Sequence, residues 1–205
     1  MGVIPKLVSK TPRPLFVPTA PMQPPVVWME RGGDFRKTWT RSPRLPAGEY
    51  GRCIAAFPRI CADVLPVEPK TKGFYLGKRI QHSAKGRWPF GGGAQRRGLT
   101  TAESAAEKCY LESGIRVKPH ELIFLFAFES FWECRDVEPQ ELGEHCMTYT
   151  YCFVPTAKEI QEIKLDPTQF DLDHGVQLYT RGQMERFEES TRELLLLYWD
   201  AAFGE

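Results

Sequence analysis

Three consecutive glycines, Gly91-Gly92-Gly93, precede a helix-forming stretch that carries Glu112 and ends at Gly114-Ile115. A glycine-rich turn ahead of a helix lets backbone carbonyls and N–H groups come close to a ligand. A carboxylate late in that helix adds a hard oxygen donor of the kind Mg2+ or Mn2+ prefers. A metal held there would neutralise a diphosphate leaving group. Arg79, at the end of an apolar stretch, and Arg96-Arg97, just after the glycines, have the charge to grip phosphate. Phe128, Phe131 and Trp132 are placed to stack on a base or to fill the core and its rim. Each residue also has a plainer reading: Glu112 as a solvated helix end, Arg79 as a surface charge, Arg96-Arg97 as a solvated loop. His82, His120 and His145 have no sequence partner that raises them above ordinary positions.

The elements that must position these residues follow from periodicity and punctuation. Thr100 or Thr101 is a plausible N-cap for the helix after the glycines, and Gly114 its C-terminal stop. Ala102, Ala105, Ala106, Cys109 and Tyr110 put small and apolar residues on one face of it. Ile54–Val67 reads as a first strand interrupted near Pro58, and Gly73–Ile80 as the next. Leu122–Phe128 and Met147–Val154 read as further strands, joined by a long acidic loop over Arg135–His145. From Arg181 onward, Met184, Phe187, Thr191, Leu194, Leu195 and Tyr198 keep a spacing of three and four, the mark of a closing helix. Strands with a central and a terminal helix make an α+β sandwich.

The 205 residues suffice for one domain with a real core, plus an arm. Residues 1–46 carry eight Lys or Arg against Glu30 and Asp34, so the net charge of +1 divides into +6 there and −5 in the remainder. Nine of the 17 prolines lie in the same segment. Prolines at that density forbid a helix and favour an extended path, against a mitochondrial transit peptide. Residues 1–45 are therefore read as a basic, proline-rich N-terminal arm, and 46–205 as the folded domain. The arm is a surface-draped extension or an anchor along a protein or RNA partner, with Trp28, Phe35 and Trp39 as apolar contacts. No apolar run reaches transmembrane length. The six cysteines form no C-x-x-C pair, which points to reduced thiols, an intracellular and cytoplasmic compartment, and no structural zinc.

Laid over Gly93–Ile115, the signature of the Nudix hydrolase family resembles this stretch in a degenerate form. Its late glycine falls on Gly114 and its last glutamate on Glu112, whereas its other key positions hold Leu99, Glu107, Lys108 and Leu111. The resemblance implies a Nudix-type α/β/α sandwich with a mixed sheet. Most of the acidic positions are gone, which argues against the family's multi-metal pyrophosphate chemistry. One branch, the GDP-mannose mannosyl hydrolases, also lacks most of them. The run Leu76-Gly77-Lys78-Arg79, Gly86-x-Trp88 and Gly92-Gly93 is similar to that branch, as are Glu49-Tyr50, Phe57-Pro58 and Asp63 upstream, read as its opening strand, and Ser190-Thr191-Arg192 near the end.

That branch implies hydrolysis of a nucleoside-diphosphate sugar at C1 with a single Mg2+ (or Mn2+). Carried over, Glu112 would hold the metal with the carbonyl of Gly92 or Gly93 and with Asp173, or Gln169 in its place. Arg79 would meet the diphosphate, and His174, five residues before Tyr179, would be the general base. Asp63, Arg96 and Arg97 complete the substrate-binding expectation. A homodimer is common in that branch. Two of its cations are absent, since Ala94 and Glu107 stand in the places of arginines. The alternative is a catalytically inactive Nudix-fold subunit of a large assembly such as a mitochondrial ribosome, in which case the compartment is mitochondrial.

Overall fold

The computed structural model describes residues 24, 45–81, 85–187 and 191–204. Trp28, Phe35 and Trp39 of the arm, His82 and Ser190 lie outside the described residues.

Helix α1, Ala47–Ala56, occupies the place where the resemblance put an opening strand. Its composition explains the difference: an alanine-containing stretch without consecutive β-branched residues follows Pro46, which sits at the N-cap with φ −53°. Pro58 then stops it, because the residue before a proline is pushed to extended backbone, and Phe57 has φ −139° and ψ 144°. Only after that break does the first strand begin, β1 over Arg59–Glu68. The remaining strands are β2 Gly73–Arg79, β3 Gly86–Trp88, β4 Ile123–Trp132, β5 Glu144–Phe153 and β6 Val176–Thr180.

The sheet runs β3-β2-β1-β5-β4, with β6 on β2. Strands β1 and β5 are parallel from Arg59–Cys146 to Pro66–Phe153, and the other pairs are antiparallel, so the sheet is mixed as expected. Strand β2 meets β1 only at Val67–Phe74 and Glu68–Gly73, then leaves it for β3. The edge of β1 vacated by β2 is taken by the glycine loop. Ala62 N–H donates to the Gly93 carbonyl at 3.0 Å, and Gln95 N–H to the Ile60 carbonyl at 2.8 Å.

Helix α2, Thr101–Ser113, is capped as its sequence predicts. The Thr100 hydroxyl accepts from Glu103 N–H, the Glu103 carboxylate accepts from Thr100 N–H, and Gly114 closes the helix at φ 77°. Its face of Ala102, Ala105, Ala106 and Cys109 covers Ala62 and Val64 of β1 with Tyr151 and Phe153 of β5. Helices α3 Ala157–Gln161 and α4 Arg181–Met184 are short, and α5 Arg192–Phe203 covers the opposite face. There Leu195, Tyr198, Trp199 and Ala202 meet Leu65, Val67, Cys152 and Leu125. A fully buried side chain such as Leu195 contributes about 1.5–3 kcal/mol. The product is the three-layer sandwich expected.

Three sequence expectations shift. The closing helix divides into α4 and α5. Val176–Thr180, to which the sequence pattern assigns no element, pairs with β2 as β6. Strand β4 runs on to Trp132 and β5 begins at Glu144, so the acidic loop occupies 133–143 and not 135–145. That loop is clasped to α1 by Arg135, which is fully buried. Its guanidinium donates to the carbonyls of Val137 at 2.9 Å, Gly51 at 3.1 Å and Gly143 at 3.4 Å. Among the described residues, no helix is long and apolar enough to cross a membrane.

Candidate functional site

Where β1 and β2 part, a cleft of about 260 Å3 opens. Its floor is the outward face of β1 and β5, with Arg59, Cys61 and Asp63 beside Cys146 and Thr148. Gly92, Gly93, Lys108 and Glu112 form one side, and Arg79 with Asp136 the other. Trp88, Phe128 and Trp132 give an aromatic wall, in which Trp88 and Trp132 meet edge to face at 6.3 Å.

Glu112 is buried and reaches back to the glycine loop. Its Oε2 accepts from Gly91 N–H at 2.8 Å and from Gly92 N–H at 3.4 Å. Burial raises its pKa, against the lowering pull of the two amides, Arg79 and Lys108. The loop conformation that offers those amides needs glycine at position 91, where φ is +100° and a Cβ would stand 2.8 Å from the Cys109 Cα. Gly91→Ala is expected to lower unfolding stability by about 2 kcal/mol or more. An unchanged urea midpoint would contradict this.

Asp63 lies at the bottom of the cleft. The loop passes so near that a Cβ on Gly92 would come within 2.4 Å of its Oδ1. Burial, reinforced by the negative charge of Glu112, pushes its pKa up to about 6, while Arg79, the Gly93 N–H and Arg59 pull the other way. Below it the buried Tyr198 hydroxyl approaches Oδ2 at 3.5 Å. A carboxylate that titrates near neutrality, opposite cations and open to a cleft, is suited to accept a proton from water.

The expected residues are only partly brought together. Asp63, Arg79, Glu112, Gly92 and Gly93 line the cleft, as does Gln169. His174 does not. Its Nε2 lies 3.0 Å from the Tyr179 hydroxyl, which donates to Gln177 Oε1 at 3.1 Å. The turn that carries His174 is held on the outer edge of β2, where Asp171 N–H donates to the Lys78 carbonyl at 2.9 Å, and His174 is not among the residues that line the cleft. Asp173 lies in the same exposed turn, its N–H donating to Asp171. Arg96 pairs with Glu107 at 2.5 Å outside the cleft, and Arg97 is exposed.

The metal ligands expected from the resemblance are not assembled. Asp173 is elsewhere, the Gly93 carbonyl accepts from Ala62 N–H, and Glu112 Oε2 accepts two loop amides. Among the described residues, no group of three or more His, Cys, Asp or Glu is placed to hold a metal ion. The donors present do not fit a resident divalent ion, and cations of the chain face the acids instead.

Sequence reasoning missed Lys108, Asp136 and Tyr198. Lys108 was legible, four residues before Glu112 on one helical face. Asp136 and Tyr198 come from elements remote in sequence, and nothing local marked them.

Comparison with known proteins gives the fold its place. The chain is similar to the MutT Nudix hydrolase of Burkholderia pseudomallei, with a TM-score of 0.51 and 15% identity over 69% of this chain and 97% of that one. Other solved structures include a MutT protein of Methanosarcina mazei (TM-score 0.48, 16% identity, 70% and 94% covered) and the C. elegans Ap4A hydrolase (TM-score 0.46, 12% identity, 72% and 98% covered). No protein-family model matches the chain, and no curated protein matches it. At such identity a likeness speaks for architecture alone. The α/β/α sandwich with its mixed sheet and glycine loop is the Nudix hydrolase fold.

Proposed function

We propose that the cleft hydrolyses a nucleoside-diphosphate sugar of the GDP-mannose kind at the sugar C1. Water forms the new O–C1 bond as the C1–phosphate oxygen bond breaks, and Asp63 takes the proton that water loses. Arg79 and Lys108 face the charge that develops on the departing diphosphate. The aromatic wall of Trp88, Phe128 and Trp132 offers a flat apolar surface to a nucleobase. His174 has no part in this reaction.

The observation that carries the proposal is the position of Asp63: a buried carboxylate pressed against the glycine loop on the floor of a cleft that Arg79 and Lys108 also line. The experiment is turnover of GDP-mannose, UDP-glucose and ADP-ribose, in Mg2+ and in EDTA, by the native protein, Asp63→Asn and His174→Ala. Loss of a general base lowers the rate by about 100-fold or more. Asp63→Asn is expected to fall by that much, and His174→Ala to stay within about twofold of native. Native turnover no faster than that of Asp63→Asn would overturn the proposal.

A second reading is favoured by the tethering of Glu112 to loop amides and by Leu99, Lys108 and Leu111 at positions the signature reserves for acids. In it the chain is an inactive subunit of a large assembly such as a mitochondrial ribosome, and the basic arm contacts protein or RNA. Co-sedimentation of the native protein with a large particle, lost on removal of residues 1–45, would establish this reading. Sedimentation as a monomer or homodimer would favour the enzyme.

A further inference from the structure

Arg79 is a fork only half used. Its Nη2 lies 3.4 Å from Gln81 Oε1 and 3.6 Å from Asp136 Oδ2, and its buried Nε has no hydrogen-bond partner. A buried guanidinium edge left without an acceptor beside a cleft signals an anion that belongs there. The Asp136 contact is too long for a strong charge-assisted bond, yet its position is not accidental. The residue before it, Arg135, is fixed to three backbone carbonyls, one of them on α1, so the carboxylate is delivered to the cleft by an anchored loop. Asp136 retains partial exposure, with 31% of its side chain accessible, which lets water or a ligand compete for Arg79.

We infer that Asp136 is a counter-ion latch on Arg79, released when the anionic group of a ligand takes its place. The ligand class is a diphosphate. A monophosphate also has oxygens enough for both edges of the fork, but a diphosphate brings more charge to set against the single charge Asp136 supplies. Displacing Asp136 costs every anion the same, and the extra charge of a diphosphate offsets that cost most fully. It rests on the proposed function only in taking the cleft to be an anion site, and does not require that hydrolysis occur.

The test is calorimetric titration with inorganic pyrophosphate and with inorganic phosphate, for the native protein, Asp136→Asn, Arg79→Ala and the double variant. Removing the competing carboxylate should tighten pyrophosphate binding by about twofold to fivefold, the scale of a partly exposed ion pair. Phosphate binding should tighten by a similar factor, since displacing Asp136 costs the same for either anion, and the native protein should bind pyrophosphate the more tightly. In the Arg79→Ala background the Asp136→Asn change should have a smaller effect, since its contact with Arg79 is already gone. Pyrophosphate affinity unchanged or weakened in Asp136→Asn would overturn the latch, as would failure of every form to bind. Tightening in a protein that turns over no sugar nucleotide would uphold the latch and defeat the hydrolase.

Discussion

Replacing Asp63 by Asn is expected to make the protein more stable at pH 7.5 while abolishing most of its turnover. The cause is the buried charge. An aspartate ordinarily titrates at 3.8, and in the fold Asp63 titrates at about 6, chiefly because burial disfavours its ionised form. Below about pH 3.8 the carboxyl is neutral in both the folded and the unfolded chain, and it imposes no penalty. As pH rises from about 3.8 to 6 the unfolded chain ionises while the folded protein still holds the proton, so stability falls across that window and levels off above it. The gap between 3.8 and about 6 corresponds to about 3 kcal/mol. Asparagine resembles the neutral acid in shape and avoids that penalty, so Asp63→Asn should gain about 1–3 kcal/mol at neutral pH. The advantage should shrink between pH 6 and pH 4. Urea unfolding of both proteins at the two pH values measures it. A variant no more stable than native at pH 7.5 would mean that Asp63 carries no electrostatic burden.

Arg135→Met is expected to do the opposite, with an effect as large. The side chain is fully buried and its guanidinium is shared among three backbone carbonyls. Methionine fills much of the volume but leaves those acceptors without their donor, each at about 1–3 kcal/mol. The whole should amount to about 3–5 kcal/mol, the usual loss when one side of a buried polar network is removed. Urea denaturation decides the matter, and a loss under about 1 kcal/mol would show that the loop over 133–143 is held by other means. Since Asp136 follows directly, the same variant should also loosen the wall of the cleft that faces Arg79.

Local chemistry was legible in the sequence, and remote convergence was not. Thr100, Glu103 and Gly114 announced both ends of α2, because capping involves only neighbours. The strands at Gly73, Leu122 and Met147 were legible from composition. Helix α1 departs from the opening strand that Glu49-Tyr50 suggest by resemblance, because Pro46 and Pro58 bracket a stretch that is free to coil between them. Strand β6 was missed because five residues of alternation are a weak signal beside turns rich in Asp and Gly. At the site, Arg79, Asp63 and Glu112 converge as expected. His174 could not be placed from sequence, because its position depends on which edge of β2 receives β6. Glu112 differs in its partners as well: an oxygen expected to meet a metal accepts two loop amides.

The alternation along β1 has one further consequence. Arg59, Cys61 and Asp63 face the cleft, and Ala62 and Val64 face α2. Against β5 these are matched to Cys146, Thr148 and Thr150 on the first face, and to Tyr149 and Tyr151 on the second. A slip of β1 by a single residue would exchange the two sets at once, driving a carboxylate and a guanidinium under the alanine face of α2 and turning two core residues out into the cleft. The register that makes the core apolar is the register that assembles the site. No partly slipped protein keeps one without the other, so every chain that reaches the native core arrives with Asp63 already aimed.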